Sequence, residues 1–116
     1  MLKVLKEDES YLVSMIQVRK LNTLFSELIG QQLNSLVSIS GRTVVFDLGE
    51  IESIDKDGLC TLLTAAEIAA AVGSKFHLCN LRSEIEELIS KNNMQEAFNI
   101  LPDQEAKENF VFEMDE

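Results

Sequence analysis

Residues 43–60 read TVVFDLGEIESIDKDGLC, and this segment decides how the chain folds. It begins with most of a nearly continuous apolar run, Arg42–Leu48, which is typical of a strand in a sheet that is covered on both faces. A short polar loop follows, and Asp55 then stands where its side chain can accept a hydrogen bond from the first turn of a helix. We therefore predict a buried strand that leads through a polar loop to a helix N-terminus, where regulatory proteins often keep partner-contacting groups.

Two long helices are predicted from apolar periodicity. The helix after the loop begins at residue 57 or 58 and runs to 72, because apolar side chains recur on most of its sides. Gly73 follows and can close this helix in a left-handed conformation without steric cost. Upstream, apolar residues at helical spacing within Leu21–Val37 predict another helix, which Asn22 or Thr23 can cap.

Short β-prone runs alternate with these helices. Leu2–Lys6 and Tyr11–Val18 are separated by the polar turn Glu7–Ser10 and predict a hairpin. Lys75–Cys79 predicts a further strand. Because helices separate most of the strands, we expect parallel pairing through crossover connections. The predicted fold class is α/β, a small single-domain sandwich over residues 1–116 with a mixed, mostly parallel β-sheet and about four helices.

The last third of the chain carries its own signals. Ser83–Glu86 has the Ser-x-x-Glu pattern of a capping box, which predicts a helix to about Lys91. Ala97–Leu101 predicts one more strand. A last helix is predicted over residues 104–109, and the acidic end, residues 113–116, is expected to fray in solvent.

Composition limits the possible functions. With 116 residues, 46% of them hydrophobic, the chain has enough material for one core. Ten Lys and Arg against twenty Asp and Glu give a net charge of −10, which repels phosphate backbones and anionic lipid and argues against nucleic acid as a partner. No apolar run approaches the roughly 20 residues that span a bilayer, so direct membrane insertion is not expected. No secretory signal is visible. We expect a soluble cytoplasmic domain.

Few residues have the pattern of a catalytic site. The only histidine, His77, lies in a predicted strand, which favours a surface or structural role over that of a general base. Cys60 and Cys79 both lie in apolar contexts, and buried thiols in a reducing cytosol explain them more simply than a disulfide or metal site. The sequence has no glycine-rich phosphate loop, Gly-x-Ser-x-Gly or Cys-x-x-Cys pattern. We expect no enzymatic activity and no cofactor.

Acidic residues concentrate in the loop after the central strand: Asp47, Glu50, Glu52, Asp55 and Asp57. Open α/β sheets place ligands at the carboxyl ends of their strands, and hard oxygen ligands could hold a divalent cation there. A metal-dependent hydrolase that uses Asp47, Asp55 and Asp57 is a remote alternative, since a basic phosphate binder and a catalytic histidine are missing. The simpler interpretation needs no metal: Asp55 caps the next helix and the other carboxylates are solvated.

The segments Val44–Leu48 and Ile54–Leu59 resemble the signature of STAS domains, as found in bacterial anti-sigma factor antagonists. The most specific part is Asp55-x-x-Gly58-Leu59 in its strand–loop–helix context, and the order of elements resembles the family over nearly the whole chain. The resemblance implies a STAS fold and a non-enzymatic interaction module of partner-switching transcription regulation. In such proteins the loop and helix start dock onto a kinase-like anti-sigma factor. Phosphorylation of a Ser or Thr directly after the Asp breaks that complex.

This chain departs from the family signature at the phosphoacceptor. Lys56 stands in the acceptor position and cannot accept phosphate, and Asp57 follows where Ser or Thr is usual. Asn22 stands where the family usually carries an acidic residue. The resemblance therefore implies a partner surface that is not switched at the usual residue and whose charge complementarity is set by Lys56 and Asp57. Its residues are Asn22, Asp55, Lys56, Asp57, Gly58 and Leu59.

Ser53 lies in the same loop and is another candidate phosphoacceptor. From its position in the sequence, the Ser53 hydroxyl can be either buried or accessible. The implied partner is an anti-sigma factor or another kinase-like regulatory protein. Because STAS domains also occur in transporters, an accessory subunit of a transporter or of another signalling complex is the alternative.

Overall fold

The chain is described from a computed structural model over residues 2–15 and 17–98. Its elements, in chain order, are β1 (Leu2–Glu7), β2 (Ser10–Met15), β3 (Lys20–Leu21), α1 (Thr23–Val37), β4 (Thr43–Asp47), β5 (Ser53–Ile54), α2 (Lys56–Val72), β6 (Lys75–Cys79), α3 (Ser83–Lys91) and α4 (Gln95–Phe98). A four-stranded sheet has the order β1-β2-β4-β6, and a two-stranded sheet pairs β3 with β5.

The α/β class and the mixed sheet are confirmed. The hairpin β1–β2 is antiparallel, whereas β2–β4 and β4–β6 are parallel. The prediction of about four helices is slightly too high, because the described residues contain three helices of nine or more residues and the four-residue α4. The helix predicted over residues 104–109 and the end 113–116 lie outside the described residues.

The hairpin ends earlier than its sequence predicts. β2 stops at Met15 rather than Val18. Gln17 has a φ of 63°, which is incompatible with an extended strand. The chain therefore turns away from the sheet before Val18, whose side chain is nevertheless buried in the core.

The core lies on one face of the four-stranded sheet. Alternate strand residues point toward it, as expected for a period of two. They are Tyr11, Val13 and Met15 of β2, Val44 and Phe46 of β4, and Phe76 and Leu78 of β6. The helices contribute Ile29, Leu33 and Val37 of α1, Leu59, Leu62, Ala65 and Ala69 of α2, Ile85 and Ile89 of α3, and Phe98 of α4.

The predicted limits of the two long helices are nearly right. The helix α1 begins directly after Asn22, whose carbonyl oxygen accepts hydrogen bonds from the N–H groups of Phe25 at 3.0 Å and Ser26 at 2.8 Å. The helix α2 ends at Gly73, which has a φ of 85° and donates its N–H to the Ala69 carbonyl oxygen. This is the left-handed cap that the sequence predicts.

Two predictions about the last third of the chain are wrong. Ser83 is the first residue of α3 rather than its cap, because Arg82 is already the extended N-cap residue and makes no side-chain capping bond. Ala97 and Phe98 belong to α4 rather than to a strand, and the N–H of Phe98 donates to the Met94 carbonyl oxygen at 3.3 Å. Phe98 is fully buried in the core there, while residues 99–101 of the predicted strand lie outside the described residues.

Arg42 links the end of α1 to the hairpin. Its Nη1 donates to the Leu36 carbonyl oxygen at 3.2 Å, and its guanidinium carbon lies 4.8 Å from the centre of the Tyr11 ring. We expect Arg42→Met to lower the free energy of unfolding by about 1–2 kcal/mol, because it removes a helix-end hydrogen bond and a cation–π contact. Urea unfolding measures the loss.

Lys6→Met is the matched control. The Lys6 Nζ lies 5.7 Å from the same ring, and Lys6 is exposed. We expect this substitution to cost about 0.5 kcal/mol or less. Equal losses for the two variants would contradict the assigned role of Arg42.

Candidate functional site

A short parallel strand pair joins the starts of α1 and α2. In it Lys20 is paired with Ser53 and Leu21 with Ile54. The N–H of Asp55 then donates to the Leu21 carbonyl oxygen at 3.1 Å. The loop before α2 is thereby fixed beside the segment that precedes α1. The sequence did not predict this pair, because two-residue strands are too short to show apolar alternation.

Asp55 caps α2 as the sequence predicts. Its backbone is extended, with a φ of −90° and a ψ of −177°, and its Oδ1 accepts a hydrogen bond from the Gly58 N–H at 2.8 Å. Its carbonyl oxygen accepts the first helical bond, from the Leu59 N–H at 2.9 Å. The helix consequently begins at Lys56, with Asp57 in its first turn.

We expect Asp55→Ala to lower the free energy of unfolding by about 1 kcal/mol, since an orphan N–H of the first turn loses its acceptor. Asp55→Asn is the control, because the amide oxygen can still accept that bond, and it should retain most of the stability. Chemical denaturation of the two variants measures the difference. If Asp55→Asn lowers the free energy of unfolding as much as Asp55→Ala does, the capping hydrogen bond does not stabilise the helix start.

Gly58 and Leu59 are buried beneath this helix start. A Cβ atom at Gly58 would overlap the Leu21 carbonyl oxygen and lie 2.9 Å from Leu21 Cγ and 3.0 Å from Ile54 Cγ2. Leu59 is 5% exposed and belongs to the core. Both residues therefore support the helix start from the core side. The absence of a side chain at Gly58 lets α2 pack closely against β3 of the same chain.

The exposed part of the site is small and charged. Asp55, Lys56 and Asp57 are exposed, and Asn22 is half-buried at the neighbouring start of α1. We call these four residues, with Gly58 and Leu59 beneath them, the α2-start surface. Ser53 is exposed next to it in β5, which answers the question that the sequence left open about its accessibility.

The prediction that both cysteines are buried is wrong for one of them. Cys79 is buried as expected, but Cys60 is an exposed free thiol. The reason is the orientation of α2, which buries the side that carries Leu59, Leu62 and Ala65 and turns Cys60 outward. Because apolar residues lie on most sides of α2, the sequence did not show which side would face solvent.

Asp47 fixes the other end of the loop. Its Oδ1 accepts a hydrogen bond from the Gly49 N–H at 2.7 Å, and the Asn80 side-chain amide lies 3.3 Å from the same oxygen. Arg82 Nε donates to the Gly49 carbonyl oxygen at 3.3 Å. Asp47 and Asp55 thus both bind backbone N–H groups, at opposite ends of the loop.

The carboxylates do not assemble into a metal site in the part of the chain that the structure describes. No group of three or more His, Cys, Asp or Glu side chains among these residues is arranged to hold a metal ion. The hydrolase alternative through Asp47, Asp55 and Asp57 gains no support from this arrangement. Its direct test is calorimetry with magnesium, manganese and calcium, and binding of one of these ions would support the alternative.

Comparison with known protein families identifies the family to which this chain belongs. The model of the STAS domain matches residues 9–106. This chain belongs to the STAS domain family. A search of curated protein sequences finds no match.

Solved structures share this STAS fold at low sequence identity. An anti-sigma-factor antagonist (STAS) domain protein from Planctomyces limnophilus is 19% identical, with a TM-score of 0.79 over 90% of this chain and 92% of that one. An anti-sigma factor antagonist from Mycobacterium paratuberculosis is 18% identical, with a TM-score of 0.75 over 96% of this chain and 92% of that one.

A membrane transporter contains the same STAS fold. The murine anion transporter Slc26a9 is 17% identical, with a TM-score of 0.68, over 84% of this chain and only 17% of the transporter. Within residues 2–15 and 17–98 of this chain, no helix has the length and apolar character needed to cross a membrane.

Proposed function

We propose that this STAS domain is a non-enzymatic protein-interaction module of the anti-sigma factor antagonist type, acting in bacterial partner switching in the cytoplasm. Its partner surface is the α2-start surface. The observation that carries the proposal is the exposed pair Lys56 and Asp57 on a helix start that is fixed from below. The partner is an anti-sigma factor or another kinase-like regulatory protein.

Pre-organisation of the loop supports this choice of surface. The Asp55 cap, the tight packing at Gly58 and the β3–β5 pair hold the loop in one conformation before a partner arrives. A surface that is already ordered loses little conformational entropy on binding. The fixed charges of Lys56 and Asp57 then select a partner of complementary charge.

Phosphorylation does not switch this module at the usual residue. Lys56 has no hydroxyl oxygen that could form a phosphate ester, and Asp57 keeps a permanent negative charge in the first turn of α2. Ser53 is the candidate acceptor in this loop, because it is exposed beside the α2-start surface. Intact-mass measurement after incubation with the captured kinase-like partner and ATP tests it, and substitution Ser53→Ala identifies the residue.

Affinity capture from the source cell tests the proposal. The full chain is used as bait, and bound proteins are identified by mass spectrometry. We expect a soluble kinase-like regulatory protein among the stably bound partners. Recovery of membrane-transporter components alone would contradict the antagonist assignment.

The transporter likeness favours one alternative function. The fold shared with Slc26a9 makes an accessory subunit of a transporter the second candidate. In that case the chain would co-purify with the membrane fraction. Detergent-free fractionation, followed by detection of the chain in pellet and supernatant, separates the two assignments.

A further inference from the structure

The strand β1 forms one edge of the four-stranded sheet, and within residues 2–15 and 17–98 its outer side has no partner strand. Its sequence, LKVLKE, pairs with β2 in one continuous register. Val4 is 43% exposed, Leu5 is half-buried, and Lys3, Lys6 and Glu7 are exposed. An uncovered edge strand without proline or a bulge can pair with a strand of another chain.

The hairpin turn shows which backbone groups of β1 face outward. A two-residue turn joins β1 to β2 and pairs Glu7 with Ser10. Its first residue, Asp8, has a φ of 53°, as the turns of two-residue hairpins require. In such a hairpin the flanking pair is hydrogen-bonded, and bonded and non-bonded pairs then alternate along the ladder. Every second residue of β1, beginning with Glu7, therefore directs its N–H and C=O groups toward β2, whereas Val4 and Lys6 direct theirs outward.

We propose that two copies of this chain associate through their β1 strands, antiparallel and around a two-fold axis, with Leu5 opposite Leu5 of the second copy. In this register Val4 of each copy lies opposite Lys6 of the other. Each of these pairs exchanges both of its outward backbone groups in hydrogen bonds. Lys3 of each copy lies opposite Glu7 of the other, at a non-hydrogen-bonded position where opposed side chains approach most closely.

The charges of β1 select this register. Registers that keep outward backbone groups opposite each other place one residue of β1 on the two-fold axis. With Lys3 or Lys6 on the axis, two lysines oppose each other, which is destabilising. With Val4 on the axis, Lys3 opposes the apolar Leu5. With Leu5 on the axis, each Lys3 meets a Glu7, and opposite charges on directly opposed residues stabilise a strand pair.

A second copy fits this edge because the charge pattern is symmetric about Leu5, and a two-fold interface must be complementary to itself. One edge strand gives less than the roughly 1,200 Å² of a stable interface, so we expect a dissociation constant of about 10–100 μM. The net charge of −10 on each copy opposes association, and salt at about 0.15 M screens that repulsion. The pairing uses no residue of the α2-start surface, so each copy keeps its own.

Charge-reversal variants of the full chain test the register by sedimentation velocity at about 5–500 μM, a range that brackets the expected dissociation constant. Lys3→Glu and Glu7→Lys should each weaken association by about fivefold or more, because each variant puts like charges opposite each other. An equimolar mixture of the two should associate at least as strongly as the unmodified chain, since the two variants carry opposite charges at both pairs. Within the hairpin Lys3 faces Ser14 and Glu7 faces Ser10, so neither substitution opposes like charges in the monomer.

Glu9→Lys is the matched control for Glu7→Lys. It makes the same change in net charge at an exposed residue of the turn, outside β1, and it should not weaken association. A monomer at every concentration would overturn the proposal. So would equal weakening by Glu9→Lys and Glu7→Lys, or a mixture of Lys3→Glu and Glu7→Lys that stays monomeric.

Amide exchange followed by NMR reads the pairing without any substitution. As the concentration of the unmodified chain rises, the outward N–H groups of Val4 and Lys6 should gain protection. The N–H of Leu5 should change little, because it is already bonded within the hairpin. Association without added protection at Val4 and Lys6 would overturn the proposal, since the contact would then lie elsewhere.

Discussion

Gly58→Ala is expected to lower the free energy of unfolding by about 2–3 kcal/mol, because the added methyl group has no room. The methyl carbon would overlap the Leu21 carbonyl oxygen, and it would also contact Leu21 Cγ and Ile54 Cγ2. Backbone and core side chains line this space, so relief requires β3 to move away from α2. The substitution should therefore loosen the α2-start surface as well as the fold.

Gly30→Ala is the matched control for Gly58→Ala. Both glycines are helical. Alanine is favoured over glycine by about 1 kcal/mol in a helix interior such as position 30, and by less in the first turn of α2, where Gly58 lies. A Cβ at Gly30 would meet only Thr61 Cγ2, at 3.2 Å. We expect a change within about 1 kcal/mol for this variant. Urea unfolding compares the two, and equal stabilities would contradict the steric role of Gly58.

Lys56→Glu should weaken partner binding by about tenfold to a hundredfold, since it reverses an exposed charge at the centre of the α2-start surface. The same change should leave the fold intact or stabilise it by about 0.3–1 kcal/mol, because a negative charge near a helix N-terminus interacts favourably with the helix dipole. Partner binding is thus expected to weaken while the stability of the fold is kept or increased. Titration of the captured partner against the purified variant measures the affinity, and urea unfolding measures the stability.

Lys75→Glu controls for the change in net charge. Lys75 is also exposed, but it begins β6 rather than α2. In the parallel pair of β4 and β6 it lies beside Thr43, at the end of the sheet opposite Asp47. We expect its effect on affinity to be several times smaller, because at this distance the charge acts on the partner only through the long-range electrostatic field of the protein. If both variants weaken binding equally, the partner responds to overall charge and not to this surface.

Long elements were predicted well because their signals repeat over many residues. The helix α2 combines an apolar run with Asp55 before it and Gly73 after it, and the structure places both as caps. The strand β4 is likewise a run of buried residues flanked by polar ones. Each of these signals is local, so the sequence alone was enough to identify them.

Elements determined by tertiary contacts were not predictable in the same way. The β3–β5 pair depends on backbone hydrogen bonds between segments distant in sequence, such as that from the Glu52 N–H to the Arg19 carbonyl oxygen at 2.7 Å. The residues Ala97 and Phe98 belong to α4, where Phe98 fills a position in the core. Cys60 faces solvent because of how α2 packs. None of these follows from residue type or spacing.

The sequence named residues for the candidate site but did not show which of them would be buried. The sequence grouped Gly58 and Leu59 with the contact residues, whereas the structure buries both and leaves Asp55, Lys56 and Asp57 exposed. The space around a glycine depends on which atoms approach it. Here that is the Leu21 carbonyl oxygen of β3, which no local pattern reveals.

Hydrogen exchange on the complex with the captured partner locates the contact surface most directly. Amide exchange is followed by mass spectrometry in the free chain and in the complex. We predict added protection in the segments that contain Asn22 and residues 55–59, with the exposed face of α3 unchanged. Protection confined to α3 or the hairpin, with the α2-start surface exchanging as in the free chain, would contradict the account.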